Sequence, residues 1–259
     1  TAPAFGLSPP TMPALSFVLL KSPVQVDPAA VVSTFTELFP DELPLTHAPS
    51  SKADVLEFRS GDAVTFVALM SAPVPKGEAD EATARSLSSF RKGGFTLPPH
   101  LGHLLVTSLG DQTKTADGLA RHTQIVAAIT KASHAVGVYE GNAGATHDPK
   151  FYVSVATDTT YPTMLWNGLS MVRSPDRIEF LSLGMSQLEL PDLLFVATPE
   201  GGNEALSFFF DLLAYFAGRG TPIPEGETVG RDENEKLTVR YAPSPIDDSV
   251  QVARISMID

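Results

Sequence analysis

QVDPAAVVSTFTELFP, residues 25–40, decides how the first half of the chain is read. Asp27 is a good N-cap and Pro28 a good first helical residue. A carboxylate accepts from the free N–H groups of the first turn, and proline has no N–H to leave unpaired. Val31, Phe35 and Leu38 follow at helical spacing, and Pro40 marks the stop. The same device returns at Asp148-Pro149 in THDPKFYVSVA, residues 146–156.

Around the first of these helices lie strand signals. ALSFVLLK (14–21) is a buried strand candidate, too short for a lone helix. ADVLEFRS (53–60) and DAVTFVALM (62–70) are strands joined at the turn signal Ser60-Gly61. Glu81 to Phe90 suggests a short helix ended by Lys92-Gly93-Gly94, and HLGHLLVTSL (100–109) is a further strand. The order is β-α-β-β-α-β. Thr115 to Ser133 then gives a longer helix, with Leu119, Val126 and Ile129 on one face.

The pattern restarts at AVGVYEG (135–141). The second Asp-Pro helix follows, then strands at TMLWNGLSMV (163–172) and RIEFLSLGM (177–185), an extended Gln187–Val196 segment, and a Gly202–Gly218 helix with Asn203 as candidate cap. EKLTVRYA (235–242) and VQVARISM (250–257) are the last strands. The expected class is α+β. The repeated order suggests two tandem ferredoxin-like βαββαβ halves, 14–134 and 135–259, forming one compact unit behind a flexible Pro-rich arm at 1–13.

Composition narrows the chemistry. The 259 residues are 43% hydrophobic, enough for a sizeable core. The absence of cysteine excludes disulfides, thiolate–metal sites, thiol nucleophiles and iron–sulfur clusters. The formal net charge of −12 disfavours nucleic acid and anionic membrane as partners, because both are bound through Lys and Arg. A basic protein or a cation suits it better. No apolar run approaches the roughly 20 residues of a membrane span, and TAPAFGLSPPTMP lacks the basic and apolar regions of a signal peptide. A cytoplasmic setting is the expectation.

Candidate site residues are few. His100 and His103 are three apart, so on a continuous strand they point to opposite faces. They converge only if residues 100–102 turn, with His122, His134 or His147 as candidate third ligands. A metal site at His100, His103 and His122 is therefore carried as an alternative to strand-entry histidines, with no cofactor as the main expectation. His122 falls on the apolar stripe of its helix, where a hydrogen-bonded core histidine is the ordinary reading. Gly141-Asn-Ala-Gly144 lacks the G-x-G-x-x-G spacing of a dinucleotide loop, and neither a P-loop nor a G-x-S-x-G elbow occurs. PEGETVGRDENE (224–235) carries Glu225, Glu227, Asp232, Glu233 and Glu235 against Arg231 alone. It is a solvated loop or a steering patch for a basic partner. Phe208, Phe209 and Phe210 spread around the 202–218 helix, which is apolar over most of its circumference and suits a core or a dimer contact.

The second half carries a resemblance. SMVRSPDRIEFLSLGMSQLEL (170–190), the Phe-rich helix and IPEGETVGRDENEKLTVRY (223–241) resemble the bacterial family catalogued as domain of unknown function 4261. The shared features are a strand pair ending in Gly-x-x-x-Leu-Glu-Leu at Gly184–Leu190, a helix ending near Gly218, and the G-E-T-x-G turn at Gly226–Gly230. Upstream, APVPKGEAD, HLGHLLVTS, AVGVYEG and the Trp166 segment look like the longer proteins that carry this domain. The resemblance implies no activity and transfers no catalytic residue.

Three functions stay open on this reading. One is an acidic protein-binding protein, in particular an immunity protein that neutralises a secreted toxin by occluding its basic surface. The second is a hydrolase-type enzyme using a histidine/carboxylate site. The third is a dimeric scaffold module.

Overall fold

The computed structural model describes residues 14–49, 54–91 and 93–258, and the arm expected at 1–13 lies outside them. The chain is α+β. Strand β1 (Ala14–Leu20) leads into helix α1 (Pro28–Leu38), which Asp27 caps by accepting from Ala29 N at 3.0 Å. β2 (Thr46–Ala48), β3 (Val55–Ser60) and β4 (Ala63–Met70) follow. Gly61, with φ of +59°, makes the tight turn between β3 and β4. The next segment holds one turn of helix, α2 (Glu78–Glu81), and 3-10 turns at Pro75–Gly77, Ala82–Arg85 and Leu87–Phe90. The continuous helix expected from Glu81 to Phe90 is broken at Ser86. Its extended backbone lets the hydroxyl accept from Ser88 N and reach His147.

β5 (Gly102–Leu109), α3 (Ala116–Ala132), β6 (Gly137–Glu140) and β7 (Ala145–His147) complete a sheet of order β2-β3-β4-β5-β1-β6-β7. Each of its six strand pairs is antiparallel. α1 carries the chain from β1 to β2 at the edge of the sheet, and α3 carries it from β5 to β6 across β1. Val18, Val67, Leu104, Val106 and Val138 pack on the helix side with Val31, Phe35 and the buried face of α3. On the other side, Leu19 and Tyr139 meet Val74, Ala79, Ala82 and Leu97 from the 71–101 segment.

Asp148 caps α4 (Pro149–Asp158) through Phe151 N, at 2.9 Å, and α4 packs on α3 and β6. α5 (Thr163–Trp166) occupies part of the strand expected at TMLWNGLSMV, because Pro162 O accepts from Leu165 N and Trp166 N and closes a helical turn. The second sheet has the order β13-β14-β10-β9-β8. Its strands are β8 (Gly168–Arg173), β9 (Ile178–Leu183), β10 (Leu193–Ala197), β13 (Arg240–Pro243) and β14 (Gln251–Ser256). Between β10 and β13 come α6 (Gly202–Arg219) and the short hairpin of β11 (Thr228–Val229) and β12 (Leu237–Thr238). β10 and β14 are parallel. α6 starts at Gly202 rather than after Asn203, and ends at Gly220 in a left-handed cap (φ +67°). It lays Phe208 on Phe195 and Phe209 on Phe180, ring centroids 5.6 and 5.8 Å apart.

The two sheets differ in strand order and direction, so the pair of Asp-Pro caps reflects local helix starts. β6, residues 137–140, pairs with β1, so the first sheet crosses the 134/135 division suggested by the sequence. One buried apolar cluster includes residues from Ala14 to Ile255 and unites both sheets.

Candidate functional site

His100 and His103 flank the start of β5 and hold one loop. His100 Nε2 accepts from Val74 N at 3.2 Å, and His103 Nδ1 donates to Ala72 O at 2.9 Å. His103 also packs on Phe17, ring centroids 5.4 Å apart. Burial lowers its pKa, against the raising effect of the Ala72 bond, and the nearby His100 lowers it further. His122 lies on the opposite, helix-covered side of the sheet, so the three histidines of the metal alternative do not meet. Among the described residues no group of three or more His, Asp or Glu is placed to hold a metal ion.

His122 instead joins a buried polar row. Its Nε2 is 2.8 Å from Ser16 Oγ and its Nδ1 is 2.7 Å from Ser108 Oγ. Ser108 Oγ is 2.7 Å from Thr65 Oγ1. Ser16 Oγ also lies 2.7 Å from Glu140 Oε2, and Tyr152 donates to Glu140 Oε1 at 2.6 Å. Thr65, Ser108, Ser16 and Glu140 come from β4, β5, β1 and β6, four neighbouring strands. α3 and α4 add His122 and Tyr152 from above. Desolvation lowers the His122 pKa to about 4 and raises that of Glu140 to about 7, where the bonds from Tyr152 and Ser16 pull the other way.

Ser86 and His147 form a second such pair across the sheet edge. His147 Nε2 donates to Leu165 O at 3.2 Å, which leaves Nδ1 to accept from Ser86 Oγ at 2.7 Å. Burial lowers the His147 pKa to about 4. Ser16–His122 and Ser86–His147 have the chemistry of a nucleophile and its base. Both serines and His147 are wholly buried and His122 is nearly so. Sequence reading passed over Ser16, Ser108 and Glu140. Their signal was polar residues at inward positions of otherwise apolar strands, in phase with Val18, Val106 and Val138.

The acidic loop lies against α6. Much of its charge is used internally. Glu225 accepts from Tyr241 N at 2.7 Å, and Asp232 accepts from Asn234 N and Glu235 N, fixing the turn. Glu227 is 3.8 Å from Arg219. Arg231 chelates Glu235 and holds its carboxyl below the usual range, while its guanidinium stands 5.2 Å from the Phe208 ring centroid. Glu233 is exposed. Between this loop and α6 runs an open groove of about 560 Å³, lined by Phe208, Asp211, Leu212 and Tyr215 on one wall and Thr228–Arg231 on the other. Tyr215 is 52% exposed.

Within the second sheet, Asp192 ties the β9–β10 connection together. One carboxylate oxygen accepts from Ser182 Oγ, Gly184 N and Met185 N, at 2.9, 3.0 and 3.0 Å. Burial still raises its pKa against those three bonds. Among the described residues no helix is long and apolar enough to cross a membrane.

Comparison with curated proteins and with solved structures finds no match. The stretch that holds β10, α6, the acidic loop and β14, residues 181–256, matches the family model described as Domain of unknown function (DUF4261).

Proposed function

We propose that the protein acts as an acidic protein-binding protein, and that the face formed by α6 and the 225–235 loop receives a basic protein partner. The observation that carries this reading is the open groove whose lining includes Phe208, Tyr215, Asp211 and Arg231, with the exposed Glu227, Asp232 and Glu233 next in the chain to its loop wall. Aromatic anchors surrounded by charge suit a partner that presents Lys or Arg, because long-range attraction speeds encounter and the rings take up the cation's stem. Neutralisation of a secreted toxin by an immunity protein is the specific form we favour. It needs no reactive group, only occlusion of a basic surface, and it implies a cytoplasmic setting.

The test immobilises the full chain and identifies the bacterial proteins it retains. Glu227→Lys, Asp232→Lys and Glu233→Lys together should release a basic partner and flatten the salt dependence of its binding, and Tyr215→Ala should weaken it about tenfold. If every partner stays bound to the triple variant with unchanged salt dependence, this face is not the interface. Retention of a toxin domain supports neutralisation. Self-association alone, seen by light scattering, supports the scaffold reading instead.

A further inference from the structure

We propose that His122, Ser16 and Glu140 form a buried proton relay, in which the protonation of Glu140 sets the tautomer of His122 through the Ser16 hydroxyl. The hydrogen-bond directions force the link. Ser16 has one proton and lies between Nε2 of His122 and Oε2 of Glu140, 2.8 and 2.7 Å away. When Glu140 is a carboxylate it can only accept, so Ser16 donates to it. Nε2 must then donate to Ser16, Nδ1 accepts from Ser108, and Ser108 accepts from Thr65. When Glu140 is a carboxylic acid the row reverses. Oε2–H donates to Ser16, Ser16 to Nε2, Nδ1–H to Ser108, and Ser108 to Thr65.

The protons balance. One solvent proton taken up at Thr65 passes along the row, each of the Thr65 and Ser108 hydroxyls gaining one proton as it gives one up, and reaches Nδ1 to form a transient imidazolium. Its Nε2 proton then passes to Ser16 as the Ser16 proton passes to Oε2, which leaves a neutral Nδ1–H imidazole and a neutral acid. Burial favours this uncharged pair over imidazolium and carboxylate side by side.

Among the described residues, only Tyr152 and Ser16 bond to Glu140. Facing the row are Thr65 from β4, Ser108 from β5, Ser16 from β1, and Tyr152 from α4, which also meets Thr123 of α3. Tyr139, next to Glu140, points to the other side of the sheet, where it donates to Glu78 and lies near Arg85. Tyr152 donates to Glu140 in both states, but only the carboxylate makes that bond charge-assisted. The clasp of α4 on β6 therefore tightens when the proton leaves.

The relay is tested on the full chain labelled with ¹⁵N in its histidine rings, with His122 assigned by the signals lost in His122→Gln. Between pH 5.5 and 8.5 the protonated nitrogen should move from Nδ1 at low pH to Nε2 at high pH. The Glu140 carboxyl ¹³C shift should titrate with the same midpoint. Glu140→Gln should abolish the His122 switch, Ser16→Ala should uncouple it from the Glu140 titration, and Ser16→Thr should restore it. One tautomer throughout in the wild-type protein, a stable imidazolium near neutrality, or separate midpoints for the two groups would each overturn the relay. These wild-type readouts decide the matter even if a variant fails to fold.

Discussion

At the scale of single residues, buried imidazoles and carboxyls set the response to acid. His122 and His147 are neutral in the folded chain down to about pH 4, against 6.5 for a free imidazole. Between those values the unfolded chain binds more protons, so stability falls as the pH is lowered. Glu140 works in the opposite sense. It keeps its proton up to about pH 7 when folded, against 4.5 when free, so its share of stability is lost as pH rises through 7. His103, lowered as well, acts with the two imidazoles, and Asp192, raised, acts with Glu140; the imidazoles outweigh the carboxyls between pH 5 and 6, so stability rises with pH there, and above 6.5 the raised carboxyl of Glu140 takes over. Urea unfolding across pH 4.5–8 should give a stability maximum near pH 6.5. A curve that stays flat or climbs on acidification from 6.5 to 5 would contradict this assignment. The place of His122 on the stripe of α3 was legible from Leu119 and Val126. Its partners were not, because Ser16 is 106 residues away in the chain and Ser108 reaches it from a different strand.

Among the elements, the connection from β9 to β10 shows where periodicity stops informing. Residues 187–196 look extended because they are apolar, yet Met185–Leu188 forms a 3-10 turn and Glu189 takes a left-handed φ of +57°. What bends the chain is Asp192, which reaches back over seven and eight residues to Met185 N and Gly184 N. Gly184 itself is required twice over. Its φ is +144°, and a Cβ there would stand 2.3 Å from Trp166 O. Gly184→Ala should cost about 3 kcal/mol or more. Gly220→Ala, also at positive φ (+67°) but with nothing within 4 Å, should cost about 1 kcal/mol. Equal midpoints for the two variants in thermal unfolding would remove the steric argument. Helix starts, by contrast, were legible at both Asp-Pro pairs, because a cap and the N–H groups it serves lie within three residues.

For the molecule as a whole, the decisive contacts are those that no local pattern announces. The division expected at 134/135 would remove β6 from β1, and with it Glu140 from Ser16. Trp166, the one tryptophan, stands at the junction of the two sheets and donates to Thr123 Oγ1 at 2.8 Å. Its fluorescence therefore reports on that junction. Urea unfolding of the full chain should give coincident transitions by Trp166 fluorescence and far-ultraviolet circular dichroism, and a fragment ending at residue 134 should lack dispersed amide signals. Separate transitions, or a folded fragment, would show that the halves are independent. The strand order also has a consequence for synthesis. β14 lies between β13 and β10, so the interior position of the second sheet stays vacant until residues 251–256 clear the ribosome exit tunnel. Until then the backbone N–H and C=O groups of β10 that pair with β14 stay open to other strands.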